Sequence, residues 1–185
     1  MGITIHYRFG IQDEKTLEKL LTKIKEIVEE EMEIIHFELS DEKKSLIILP
    51  HPNCETLELE FEKWEDIKKR YENSKEWNYV YETLKDEFSE ETLEDLWVCS
   101  SFCKTQFAGD ITHAKVCEIL RIMASFCSLV KIDDEGEYYE TRDKENLLEC
   151  FGENARLIRA MSEMFKKAGF EEVITGFDEQ ELNTT

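Results

Sequence analysis

The chain opens with Ile3, Ile5 and Tyr7 alternating with Thr4, His6 and Arg8, the period of a strand buried on one face. Behind Asp13, a suitable N-cap, Leu17, Leu20, Leu21, Ile24, Ile27 and Val28 recur at helical spacing, with Lys and Glu on the opposite side. That spacing predicts an amphipathic helix over 13–32. Strands over 34–39 and 45–49 follow, joined by a hairpin at 41–44. Pro50-His51-Pro52-Asn53 breaks the pattern. Leu57, Leu59 and Phe61 then alternate with Glu58, Glu60 and Glu62, which predicts a strand with one wet face.

Residues 64–96 read as helical, with Trp64, Ile67 and Tyr71 as one apolar face and Trp77, Val80, Tyr81, Leu84 and Phe88 as another. An apolar strand over 97–107 leads through Gly109-Asp110 into a helix held by Val116, Leu120, Met123 and Cys127. Leu129, Val130 and Ile132 begin a further strand. The turn Asp134-Glu135-Gly136 is expected to send it back as a hairpin through Tyr138 and Tyr139, with Gly136 in the left-handed position. Asp143 is expected to cap a short helix that Gly152 interrupts. A last helix on Leu157, Ile158, Met161 and Phe165 would end at Gly169, with a closing strand at Val173-Ile174.

The order strand-helix-strand-strand therefore occurs twice. The expected fold is α+β: two such units with antiparallel sheet, joined by a mostly helical acidic segment, plus C-terminal helices. The expected divisions are a first unit over 1–62, an acidic helical connector over 63–96, a second unit with C-terminal helices over 97–178 and a tail over 179–185, together one globular body. The layout is similar to that of domains built from paired βαββ modules, such as the GyrI-like ligand-binding domains. The likeness covers the order of elements alone.

Composition narrows the function. In 185 residues, 43 Asp and Glu against 23 Lys and Arg give a formal charge of -20, so duplex DNA and anionic membranes would be repelled and a basic partner attracted. Acids outnumber bases most strongly over 55–95. The 41% apolar content suffices for a core. No apolar run is long enough to span a membrane, and Met1 to Gly10 lacks the basic and apolar stretches of a signal peptide, so a cytoplasmic location is expected. The six cysteines form no Cys-x-x-Cys pair and read as free thiols.

Phosphate-loop, dinucleotide, zincin, nucleophile-elbow and EF-hand signatures are all missing. The densest candidate site is Lys104, Gln106, Asp110 and His113, at a strand-to-helix junction. A helix N-terminus favours anions there, although Asp110 or Thr112 would compete as caps. A first-turn imidazole near a lysine and a glutamine would polarise or deprotonate a ligand. The competing reading makes His113 a packed helix residue and Lys104 a surface charge.

His113 and Cys117 stand i, i+4 on one helix face, the spacing of two metal ligands. Two ligands do not make a site, and Cys117 reads as core. A second candidate is the acidic hairpin with Asp133, Glu137 and Tyr139, whose oxygens suit a hard cation or simply a solvated turn. His51 between its prolines, beside Cys54, is a third.

No cofactor and no metal is expected. The leading function is an acidic cytosolic binding or interaction protein, taking a small molecule or a basic protein. The alternatives are an enzyme using a His/Lys/Gln pocket and an acidic antagonist of a basic partner.

Overall fold

The computed structural model describes residues 3–74 and 78–167. Its centre is a six-stranded antiparallel sheet in the order β2-β3-β4-β5-β1-β6. The strands are β1 (Thr4–Ile11), β2 (Glu33–Leu39), β3 (Lys43–Leu49), β4 (Leu57–Lys63), β5 (Trp97–Lys104) and β6 (Leu129–Asp134). Both halves of the chain thus contribute to one sheet, and the α+β class read from the pattern stands.

Helices α1 (Glu14–Val28) and α5 (Gly109–Ala124) cover one face of the sheet. Asp13 caps α1 as expected, accepting from the Thr16 amide at 3.0 Å. Leu20, Leu21 and Ile24 of α1 and Val116 and Leu120 of α5 are buried against Ile5, Tyr7, Phe9, Leu46, Leu59 and Phe61. The alternation in β4 holds, with Leu57, Leu59 and Phe61 buried, but Glu58, Glu60 and Glu62 on the opposite face are half-buried rather than fully wet, because the helical connector lies over that side.

The helical connector consists of α2 (Trp64–Ser74), α3 (Tyr79–Glu87) and α4 (Glu90–Leu93). It forms a smaller apolar cluster with Val98 and Leu129 on the sheet's other face. Trp64 and Tyr71 both stack on Tyr81, at 5.3 and 3.9 Å between ring centroids.

Three expectations change. The chain does not return as a strand after β6. It turns into α6 (Tyr138–Thr141), so the second unit lacks its final strand. Gly136 is not left-handed; Glu137 takes that conformation, at φ 56°. Gly152 does not divide the last helix, which runs unbroken as α7 (Lys144–Lys167). A mid-helix glycine costs only about 1 kcal/mol relative to alanine, too little by itself to break a helix of 24 residues. Asp143 does cap it, its Oδ1 accepting from the Glu145 and Asn146 amides at 2.9 and 3.1 Å. Trp77, Gly169, the strand expected at 173–174 and the tail at 179–185 lie outside the described residues.

Candidate functional site

Strand β5 ends at Lys104, and its alternation decides what the next residues face. Cys103 and Thr105 are buried on the side of the sheet that carries α5, whereas Lys104 points to the opposite side and lies half-buried beside Thr4. The Thr105 amide and hydroxyl both reach the Ile3 carbonyl, at 3.0 and 3.3 Å. That anchor sets the Thr105 hydroxyl 2.7 Å from His113 Nδ1.

His113, with no exposed surface, projects from the second turn of α5 into the space between α5 and β6. Its Nε2 lies 3.0 Å from Oδ1 and 3.1 Å from Oδ2 of Asp134, the last residue of β6. Cys117, one turn further along α5, brings its Sγ within 3.6 Å of Asp134 Oδ2. Backbone N–H groups complete the carboxylate shell: Gly136 donates to Oδ1 and Tyr139 to Oδ2, both at 2.8 Å.

Asp134 therefore explains the failed hairpin. A strand continuing past it would send those two N–H groups into a ladder. A buried carboxylate that must be saturated takes them instead, and curls the chain into α6. The requirement at Gly136 is one of space rather than dihedral freedom. A Cβ there would sit 2.9 Å from His113 Nε2 and 3.1 Å from Leu147 Cδ1. Phe151 also packs on the imidazole in a T-shaped contact, with ring centroids 5.7 Å apart.

The electrostatics follow from this packing. Burial pushes the Asp134 carboxyl upward, but the His113 hydrogen bond, the imidazole's charge and the two N–H donors outweigh it and hold the group below its ordinary value. Burial, with the Asp134 charge adding to it, pushes the Cys117 thiol well above its ordinary value.

The residues singled out in the sequence separate into three places. His113 enters the buried cluster with Thr105, Cys117 and Asp134, and Tyr139 touches it through its backbone. Gln106 is buried in the loop before α5, with its Oε1 unpaired. Asp110 lies in the first turn of α5 but does not cap it; the cap position is Ala108, which offers no side-chain bond. Asp133 and Glu137 are exposed, Asp133 beside His6 on β1 and Glu137 beside the Asn146 amide at 3.4 Å. Lys104 and His113 do not form a common pocket, because the sheet lies between their side chains.

Asp110 instead borders a groove of about 570 Å³ between α1 and α5. Ile27, Met32, Ile111, Ile119 and Ile122 give it apolar walls, and Tyr138 and Leu147 also line it. Ile27 and Ile111 remain 49% and 69% exposed. Glu31, Asp110 and Glu118 stand among its lining residues, and Lys115 is drawn to Glu31 at 2.6 Å.

A thiol pair lies apart from both. Cys54 Sγ, in the loop after β3, is 3.8 Å from Cys103 Sγ, and the contact with Cys103 lowers the Cys54 pKa against the opposing effect of burial. His51, whose Nδ1 accepts from the Asn53 amide at 3.1 Å, orders that loop.

Comparison of the chain with known protein families, curated proteins and solved structures finds no match.

Sequence reasoning reached His113 and the His113/Cys117 spacing but missed Asp134 as their partner. The available signal was the second aspartate of the Asp133-Asp134 pair. It closes an apolar strand on the same parity as Ile132, so one of the two carboxylates had to face inward.

Proposed function

We propose that this is a noncatalytic cytosolic binding protein whose α1/α5 groove receives an apolar, amphipathic segment of a basic partner protein. The observation that carries the reading is the groove itself: an apolar channel of about 570 Å³ with exposed isoleucines, on a chain of formal charge -20. Partly exposed apolar side chains lining a concavity mark a recognition surface. The acidic field draws a cationic partner from a distance, and the apolar walls supply the short-range affinity. No described helix is long and apolar enough to cross a membrane.

The enzymatic alternative draws less support. Hydroxyl, imidazole and carboxylate do line up at Thr105, His113 and Asp134, in the order of a proton relay. Yet Thr105 and His113 have no exposed surface, and both imidazole nitrogens are committed to protein partners. The arrangement holds β5, α5 and β6 together.

The test titrates the full chain with an amphipathic Leu/Lys helical peptide, and in parallel with Nile red, a neutral apolar dye. The expected result is saturable peptide binding that weakens with salt and falls about tenfold or more in Ile111→Glu. Phe126→Glu, exposed but outside the groove, should leave binding unchanged. Equal peptide binding by wild type and Ile111→Glu would overturn the reading. Dye binding in the groove without peptide binding would replace the protein partner by a small apolar ligand.

A further inference from the structure

We infer that His113, Cys117 and Asp134 form a site for one zinc ion that fastens α5 to the end of β6. Nε2 of His113, Sγ of Cys117 and a carboxylate oxygen of Asp134 all lie within 4.8 Å of one another, and all three residues are buried. Both Asp134 oxygens face the imidazole, at 3.0 and 3.1 Å from Nε2, so a chelating carboxylate would raise the donor atoms to four: one nitrogen, one sulfur and two oxygens. An ion bonds such donors at about 2.0–2.3 Å, so side-chain adjustment within the cluster would bring all of them to one ion. Imidazole and thiolate together select zinc over magnesium or calcium, which take oxygen shells.

The surrounding groups already do what the outer shell of a metal centre does. Thr105, anchored on the Ile3 carbonyl, holds Nδ1 and aims Nε2 at Asp134. The Gly136 and Tyr139 amides fix the carboxylate. Gly136 keeps the space beside Nε2 free of a side chain. Charge also balances. A thiolate and a carboxylate neutralise a dication, which leaves a buried site with no net charge. On binding, the Cys117 S–H bond breaks and the sulfur bonds zinc, while His113 keeps its proton on Nδ1, facing the Thr105 hydroxyl, and bonds zinc through the Nε2 lone pair; the thiol proton and any proton carried on Nε2 leave to solvent.

The site does not depend on the groove's occupant, so its test stands apart from the peptide titration. The full chain is stripped with a chelator, dialysed and titrated with zinc alone, then with cobalt as a spectroscopic substitute. The expected result is one ion per chain, uptake that weakens as pH falls, a higher melting temperature and a thiolate-to-cobalt charge-transfer band. Cys117→Ala should lose the band and weaken zinc binding by about 100-fold or more, whereas Cys54→Ser should keep both. The unmutated protein decides independently of any variant: no zinc uptake, or cobalt uptake without a thiolate band, would overturn the site. A band that survives in Cys117→Ala, or disappears in Cys54→Ser, would place the ion on other thiols and overturn it equally.

Discussion

Helices α1 and α5 lie side by side on the same face of the sheet, and each is tied to a strand by one buried charge. Under α1 the charge is Lys44 of β3, 1% exposed, with Nζ 2.7 Å from Glu14 and 3.0 Å from Glu18 and the Trp97 ring 4.9 Å away. Under α5 it is Asp134 of β6. The two differ in how far their partners reach water. Glu14 and Glu18 have side chains more than a third exposed, so the lysine passes its charge to the surface along a flexible stem. Asp134 is short, and its partner His113 is sealed, so the backbone itself must bend to saturate the carboxylate. The first unit therefore keeps its hairpin, while the second gives up a strand. A long buried cation leaves topology alone; a short buried anion reshapes the chain next to it.

The strongest test of this contrast is to delete the anion. Asp134→Ala leaves the imidazole, the thiol and two N–H groups without their acceptor and is expected to destabilise by about 3–5 kcal/mol in urea unfolding. The pH dependence has a definite sign. The Asp134 pKa is lower in the folded protein than in the unfolded chain, so its contribution is present above about pH 4 and is lost as pH falls through the folded value. The deficit of Asp134→Asn relative to wild type should accordingly shrink toward acid. A deficit that stays constant between neutral pH and about pH 3 would show that the carboxylate is not what binds the cluster.

The next effect in size is steric. Gly136→Ala places a methyl against His113 Nε2 and Leu147 and is expected to cost about 1–3 kcal/mol. A neutral outcome in thermal unfolding would mean that the approach of the turn to the imidazole is looser than the distances imply.

The smallest effect belongs to the other charge. Lys44→Met returns two half-exposed carboxylates to water and keeps an unbranched apolar stem beside Trp97, so the loss should stay within about 1 kcal/mol. A loss matching that of Asp134→Ala would erase the distinction between the two helices.

How much of this was legible varies by region. Leu17, Leu20, Leu21 and Ile24 announce α1 because helical periodicity is a local property, and Asp13 marks its start for the same reason. The alternating glutamates of β4 announce a one-sided strand. Gly136 was readable as a turn residue, but its reason was not, because the atom that forbids a side chain belongs to His113, far away in sequence. Lys104, Gln106 and His113 looked like one site because they are close along the chain. Strand alternation sends Lys104 to one side of the sheet and Thr105, with His113, to the other.

The sequence by itself determined the α+β class, the buried faces of α1 and α5, the strand alternation and the negative net charge, since each follows from the spacing or count of residues. Only the tertiary structure decided that β6 and α5 meet at Asp134, that Cys117 joins them, and that an apolar groove opens between α1 and α5. Those outcomes depend on which strand lies beside which. Pairing β1 with β6 brings Asp134 to His113 across 21 positions of chain, a relation that no local pattern contains.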